Sequence, residues 1–255
     1  MGTAAPAPIE AISRAMLLLV ELSAVGPDGA SLAALAERAE INKSTAYRAL
    51  STLKTHGFVA QVDGLYRLGP AAVRLGERFL ATENLAGLLH DPLTVVAEEL
   101  GEIVHLGALQ GAEVVYLDKV EPAGAMRVWS AVGRVVPAAV SAMGRAMLGF
   151  SDVDRSMLTG YLAVLPGRLS PDEEHIWRVI CDARRTGYAT EIRENEPGVA
   201  CLAIPLLRGR TPIAAVSLTA PAERLTAEAM PTVHRRLLAV LEPLLPAGLS
   251  VPSAG

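Results

Sequence analysis

With 255 residues, 51% of them apolar, the chain exceeds one typical core, and a formal charge of −4 excludes a generally basic coat, so affinity for nucleic acid has to come from a local patch. Two cysteines, Cys181 and Cys201, exclude a disulfide framework and, with no C-x-x-C pair, a zinc site, which fits a reducing cytoplasm. No apolar run approaches the roughly 18 residues of a membrane helix, so no membrane partner is expected.

Residues 1–8 (MGTAAPAP) lack the basic and apolar parts of a signal peptide and are expected to be a disordered tail. From Ile9 to Leu22 the spacing predicts a helix with Ile9, Ile12, Met16, Leu19 and Val20 turned to a small core. Two shorter helices follow in SLAALAERAEINKSTAYR. Leu32, Leu35, Ala36 and Ala39 recur at i, i+3, i+4, i+7, as do Ala46, Ala49, Leu50 and Leu53, so each helix buries one face. Ser31 and Asn42 stand where a side-chain oxygen caps a first turn, and Glu40-Ile41-Asn42 leaves room only for a sharp join.

On the second of these helices Ser44, Tyr47, Arg48 and Ser51 lie about 200° from Ala46 at 100° per residue, facing outward. With Lys43, Thr45 and Lys54 they form a cationic, hydroxyl-rich surface with no carboxylate between Asn42 and Ala60. Hydroxyls and a helix N-terminus suit phosphate oxygens, and Arg48 suits guanine or phosphate. Taken alone, the same residues also fit a plain solvated helix face. The segment from Gly57 to Leu68 decides between them, because two strand-like runs flank Asp63-Gly64, a dipeptide favoured in two-residue hairpins. Helix, helix, recognition helix and hairpin make a winged helix-turn-helix over residues 9–69, with Arg67 in the wing placed to meet phosphate.

Residues 70–91 are read as a linker helix that Asp91-Pro92 interrupts. The region 92–247 is read as a second domain, with a helix at Leu93 to Leu100 and strands at Ile103 to Leu109, Val114 to Val120 and Met126 to Ala131. Helices at Met143 to Phe150, Asp152 to Leu162 and Pro171 to Thr186 precede strands at Tyr188 to Arg193, Cys201 to Leu207 and Ile213 to Thr219. A last helix spans about Thr226 to Leu245, and residues 248–255 are read as a tail. Short connections favour an antiparallel sheet, so the fold class is α+β.

The run SLAALAERAEINKSTAYRALSTLKTHGFV and the closing YRLGPAAVRLG resemble the N-terminal domain of the IclR family of bacterial transcriptional regulators. The resemblance extends over nearly the whole chain, through VGRVVP, SAMGRAML, GYA and ENEPGVACLAIP. Members of the family commonly have Gly-Leu-Pro where this chain has Glu40-Ile41-Asn42, and often His where it has Tyr47. It implies a DNA-binding regulator whose dimers or tetramers place Lys43, Ser44, Thr45, Tyr47 and Arg48 in successive major grooves of a palindromic operator on double-stranded DNA. It also implies a GAF-like C-terminal domain that takes a small organic acid as effector. Matched position by position, the effector residues are the backbone amides of Ala142 and Met143 and the side chains of Glu191, Cys201, Ser217 and Thr219. Repression of a catabolic operon is the expected sign. The family usually has Lys where this chain has Arg145, and as both are cations little consequence is expected.

The residues support such a pocket on their own terms: Cys201, Ser217 and Thr219 are polar or polarizable positions in otherwise aliphatic strands, and Ser217 and Thr219 share a face. Amides at a helix N-terminus favour an anion. Against this, a cysteine is most often a small buried hydrophobe, Ser217 and Thr219 could serve backbone groups, and Glu191 would repel an anion unless protonated or paired. Arg127 and Trp129, alternating, could line a pocket mouth or an interface. Catalysis has little support: there is no G-x-S-x-G, G-x-G-x-x-G or P-loop, the five histidines lack metal-ligand spacing, and a Cys201–His105 pair has no third orienting group. No cofactor is expected. The other competing reading is a DNA-binding protein that answers to no ligand.

Overall fold

Side-chain oxygens start both short helices of the N-terminal unit, as their positions before the apolar periods require. The computed structural model describes residues 7–26, 28–82, 84–124, 128, 130–165 and 172–252, and the chain divides into two compact units, Met1–Asn84 and Leu85–Gly255. In the first, α1 (Glu10–Val25), α2 (Leu32–Arg38) and α3 (Lys43–Thr55) precede a hairpin of β1 (Val59–Val62) and β2 (Leu65–Leu68), then α4 (Pro70–Thr82). Ser31 Oγ accepts from the Ala34 amide at 3.2 Å and Asn42 Oδ1 from the Thr45 amide at 2.8 Å. Between them Glu40 takes φ 52°, and the Glu40 and Ile41 amides return to the Glu37 and Ala36 carbonyls, closing α2 with a Schellman turn built without glycine.

Asp63 and Gly64 both have positive φ, 51° and 79°, as a type I′ turn requires, and they bring Val62 opposite Leu65. Ala30 adds a bridge to Tyr66, so the wing is tied back to the helices. The core is Leu18, Leu22, Leu35, Leu50, Val59 and Tyr66 with small residues between them. The burial of α1 corrects the expected face. Ile9, Ile12, Met16 and Val20 are 66%, 54%, 53% and 62% exposed, while Leu18 and Leu22 are buried and Leu19 is partly buried. The run Met16-Leu17-Leu18-Leu19-Val20 is apolar all round the helix, so periodicity alone offers two stripes, and the one that meets α3 is buried.

The second unit opens on α5 (Leu85–Leu100) and continues β3 (Ile103–Gln110), β4 (Glu113–Val120), β5 (Val135–Pro137), α6 (Ala142–Phe150), α7 (Leu158–Leu162) and α8 (Glu173–Thr186). It closes with β6 (Ala189–Ile192), β7 (Val199–Arg208), β8 (Thr211–Pro221) and α9 (Met230–Leu241). The six strands form one antiparallel sheet in the order β5-β4-β3-β8-β7-β6. Leu89, Leu93 and Val96 of α5 and Leu237 and Leu241 of α9 pack with Val104, Leu202, Val216 and Leu218 on one face. Ala146 and Met147 of α6 and Ile176 and Ile180 of α8 pack with Ala203 and Ala215 on the other. Strand alternation therefore sends the odd-numbered residues of β7 and β8 toward α6.

Several elements differ from the sequence reading. Pro92 lies inside α5 rather than ending a linker helix, because the carbonyl it leaves without a donor belongs to Leu88 on an exposed side of the helix. Asp154 accepts from the Ser156 and Met157 amides and holds Arg155–Met157 in a 3-10 turn, which shortens the expected Asp152 to Leu162 helix to α7. Of the tail 248–255, Ser250 exchanges two backbone hydrogen bonds with Leu207, and Val251 and Pro252 are buried. The expected strand Met126 to Ala131, with Arg127 and Trp129, falls largely outside the described residues, as does most of the expected tail 1–8.

Candidate functional site

On α3, burial of Ala46, Leu50 and Leu53 leaves Lys43, Ser44, Tyr47 and Arg48 exposed together on the opposite side. Thr45 is half-buried, and its amide is held by Asn42, whose Oδ1 also accepts from the Ser44 hydroxyl at 2.8 Å. Lys54 Nζ donates to Gln61 Oε1 at 3.2 Å, so this cation ties the helix to the wing. Arg67 is half-buried and passes close over Gly29, and its Nε is buried with no partner among the described residues.

In the second unit the strand registers build a polar floor beneath α6. Glu191, Cys201 and Thr219 are direct partners across β6, β7 and β8. Ser217, His105 and Lys119 form the next row across β8, β3 and β4. Tyr116 opposes Gly107 in the row beyond, and its ring stacks on His105 at 4.9 Å. A Cβ at Gly107 would come within 2.9 Å of Met143 Sδ, so only glycine lets Met143 lie this low over the floor. Ser141 Oγ caps α6 by accepting from the Gly144 amide at 3.0 Å. The amides of Ala142 and Met143 belong to the first turn, where no carbonyl of the helix can reach them.

The polar side chains of the floor bond to one another. Thr219 Oγ1 lies 3.3 Å from Cys201 Sγ and 3.3 Å from His105 Nδ1, and His105 Nε2 lies 2.7 Å from Ser130 Oγ. Glu191 Oε1 accepts the Glu194 and Asn195 amides at 2.6 and 3.1 Å. Arg145, fully buried, donates to the Ala139 and Thr190 carbonyls and forks onto both oxygens of Glu194 at 2.8 and 2.5 Å. A lysine cannot span four acceptors from one nitrogen, so arginine here is not the neutral exchange expected from charge alone.

Burial pushes the His105 imidazole down to about 4, with Lys119 adding to the effect, so the ring is neutral. Burial, reinforced by the Glu191 carboxylate, pushes the Cys201 thiol up to about 12. Burial also raises Glu191 against the two amides it accepts. Glu194 is raised by burial too, but the Arg145 guanidinium outweighs this and holds the carboxyl below its ordinary range. Cys201 is thus a protonated thiol separated from the imidazole by Thr219, which disposes of the nucleophile pair.

Glu191, Cys201, Ser217 and Thr219 therefore share one floor, while Tyr116 and Ser130 are floor residues that sequence reasoning missed, and His105, considered there only as a partner for Cys201 in catalysis, is a third. His105 and Gly107 lie on the same side of β3, and it is the β3–β8 register, joining residues more than 100 positions apart, that brings this side beside Ser217. A cleft of about 770 Å³ opens elsewhere, lined by Gly149, Ser151, Arg184 and Arg210 among others. Its Arg184 is already committed to the carbonyls of Gly149, Ser151 and Val153, at 2.5, 3.1 and 2.9 Å.

Residues 11–63 match the IclR helix-turn-helix domain and residues 78–242 match the bacterial transcriptional regulator IclR C-terminal domain. The chain is 33% identical to the HTH-type transcriptional regulator XynR of Escherichia coli over 187 residues, covering 70% of this chain and 73% of the relative. It is 29% identical to the transcriptional repressor IclR of the same organism over 226 residues, covering 86% and 82%. An IclR homolog from Microbacterium hydrocarbonoxydans, solved as a complex with 4-hydroxybenzoate, superposes with a TM-score of 0.75 at 22% identity, over 92% of this chain and 99% of that one, a likeness of fold.

Proposed function

The chain belongs to the IclR family of bacterial transcriptional regulators, and from that premise we propose that it represses a catabolic operon and that a small organic acid bound in its C-terminal domain changes its grip on the operator. The family's relatives are regulators rather than enzymes, several of them repressors. In this reading Lys43, Ser44, Thr45, Tyr47 and Arg48 of α3 enter the major groove and Arg67 in the wing meets phosphate. A palindromic operator calls for two reading heads about one helical turn apart, hence a homodimer or a homotetramer in the cytoplasm. The exposed stripe of Ile9, Ile12, Met16 and Val20 on α1 supports pairing of two copies.

The observation that carries the effector site is the polar floor of buried Glu191, Ser217 and Thr219 and half-buried Cys201 beneath the first turn of α6, in a sheet otherwise aliphatic. The amides of Ala142 and Met143 supply the anion end and the floor supplies the polar end. The relative's complex with 4-hydroxybenzoate makes an aromatic hydroxy acid the first compound to try.

The test is fluorescence anisotropy of the purified protein on DNA upstream of its own and adjacent genes, repeated with 4-hydroxybenzoate and a panel of small carboxylic acids. Specific binding altered by one compound is expected. Specific binding that no compound alters would favour a ligand-independent DNA-binding protein, and absence of any sequence preference would overturn the reading.

A further inference from the structure

The hydrogen bonds of the polar floor form an unbranched chain whose direction is not free. From the loop end it runs Ser130 Oγ, His105 Nε2 and Nδ1, Thr219 Oγ1 and Cys201 Sγ, with separations of 2.7, 3.3 and 3.3 Å. Glu191 is the register partner of Cys201 on the same face of the sheet, so its carboxyl is the next polar group along the row. Each hydroxyl, and the thiol, has one hydrogen to give, and a neutral imidazole has one N–H for its two nitrogens. Every hydrogen must therefore point toward Glu191 or every hydrogen must point away.

We propose that the proton on Glu191 and the tautomer of His105 are a single two-state variable, carried by Cys201 and Thr219, and that His105 is a positioning residue that sets which groups of the floor donate and which accept. With Glu191 ionised, Ser130 donates to His105 Nε2, Nδ1–H donates to Thr219, Thr219 donates to Cys201, and the thiol donates to the carboxylate. With Glu191 neutral, its O–H donates to Cys201, the thiol to Thr219, Thr219 to Nδ1, and Nε2–H donates to Ser130. The change takes up one proton. It enters from solvent beyond Ser130, each member receives one hydrogen and passes one on, and the last rests on Glu191 while His105 keeps its hydrogen on Nε2.

The surroundings keep the ring out of the count and leave the carboxyl in it. His105 is neutral above about 4, facing Lys119, Glu121, Arg134 and the Tyr116 ring. Glu191 faces the amides of Glu194 and Asn195, the carboxylate of Glu194, Arg145 from α6, Cys201 from β7 and Tyr116 from β4, with Glu196 nearby on the same turn. His175 of α8 reaches this group only through Glu194. Ser130 sits on the segment after β4 that Lys119 Nζ grips through the Val128 and Ser130 carbonyls at 3.2 and 2.9 Å. A ligand that brings a carboxylate against Glu191 selects the neutral state and turns Ser130 from donor to acceptor. One that brings a hydroxyl or amine selects the ionised state. This last consequence rests on the effector reading above, whereas the relay itself does not.

The experiment uses the full chain, free of DNA and effector, with [15N]histidine and 13C-labelled glutamate carboxyls, followed by NMR from about pH 5 to about pH 9, where a neutral histidine reports only its tautomer. The pyrrole-type and pyridine-type nitrogen resonances of His105 are expected to exchange places at the midpoint of Glu191, and Glu191→Gln is expected to abolish the exchange. Thr219→Ser should keep the shared midpoint. Thr219→Val and Cys201→Ala should each leave Glu191 titrating while His105 stays in one tautomer. A His105 tautomer indifferent both to pH and to Glu191→Gln would overturn the proposal, as would a shared midpoint that survives in Thr219→Val or Cys201→Ala. Either result leaves the regulator reading untouched, since no operator or effector is present.

Discussion

His105 shows how much one buried ring can ask of a fold. Its pKa is depressed to about 4 from 6.5, chiefly by burial, so its neutral form is the folded form. A base depressed in this way contributes stability that is fully present above its unfolded value near 6.5 and is lost as pH falls toward 4. At 1.36 kcal/mol per unit, acidification from pH 7 to pH 5 should remove about 2 kcal/mol through this residue. Urea unfolding of wild type and His105→Asn at both pH values checks it, and an unchanged pH sensitivity in the variant would sink the assignment. Arg145 is the second such residue. Its fork joins α6 to the turn that presents the Glu194 and Asn195 amides to Glu191, so Arg145→Met leaves a partly buried carboxylate with only the His175 imidazole, 3.4 Å away, beside it. A loss of about 3 kcal/mol is expected, with Arg145→Lys recovering only part of it because one ammonium replaces a planar fork. Full recovery in the lysine variant would show that charge alone is needed.

Among the elements, α3 is the one whose start has most to do. Asn42 Oδ1 holds both the Thr45 amide and the Ser44 hydroxyl, so the cap that begins the helix also sets a side chain of the proposed DNA-reading face. Asn42→Ala should cost about 1 kcal/mol in thermal or urea unfolding of the full chain, while Asn42→Ser, which keeps a capping oxygen, should cost much less. Equal losses in the two variants would mean that the side chain matters for another reason. The winged helix was legible because its signals are local: two caps, two apolar periods and Asp63-Gly64. The face of α1 was not, because Leu18 and Ile12 are equally apolar and only tertiary contact with α3 distinguishes them. Pro92 misled for a related reason, since the cost of a proline inside a helix is lower where the freed carbonyl can reach water, which only the tertiary structure decides. In the sheet, the hairpin of β3 and β4 could be read from adjacent runs, whereas the β3–β8 pairing that seats His105 beside Ser217 joins residues more than 100 positions apart. The polar floor was therefore visible as separate residues, and its connections were not.

At the scale of the whole chain, regulation requires that the two units do separable work. The proposed DNA-reading face lies in the unit Met1–Asn84 and the polar floor in the unit Leu85–Gly255, so a substitution in one should leave the intrinsic property of the other unchanged. Arg48 is exposed and its side chain has no hydrogen bond or ion pair among the described residues, so Arg48→Ala should weaken operator binding by about tenfold or more if it loses a base or phosphate contact. If the lost contact is to phosphate, the slope of log K against log salt should also fall by about one. Ser217 is buried in the floor, and Ser217→Ala removes one hydroxyl from it with little change of volume. That variant should bind operator as wild type does when no effector is present, yet lose most of a coupling of about 1–3 kcal/mol between effector and DNA. Because such coupling is reciprocal, the same loss must show when effector binding is measured with and without operator. Two titrations on each variant, DNA at fixed effector and effector at fixed DNA, therefore close a cycle. An Arg48→Ala protein that binds operator normally at every salt concentration would mean that α3 is not the reading helix. A Ser217→Ala protein with weakened DNA binding in the absence of effector would mean that the floor supports the fold rather than the signal.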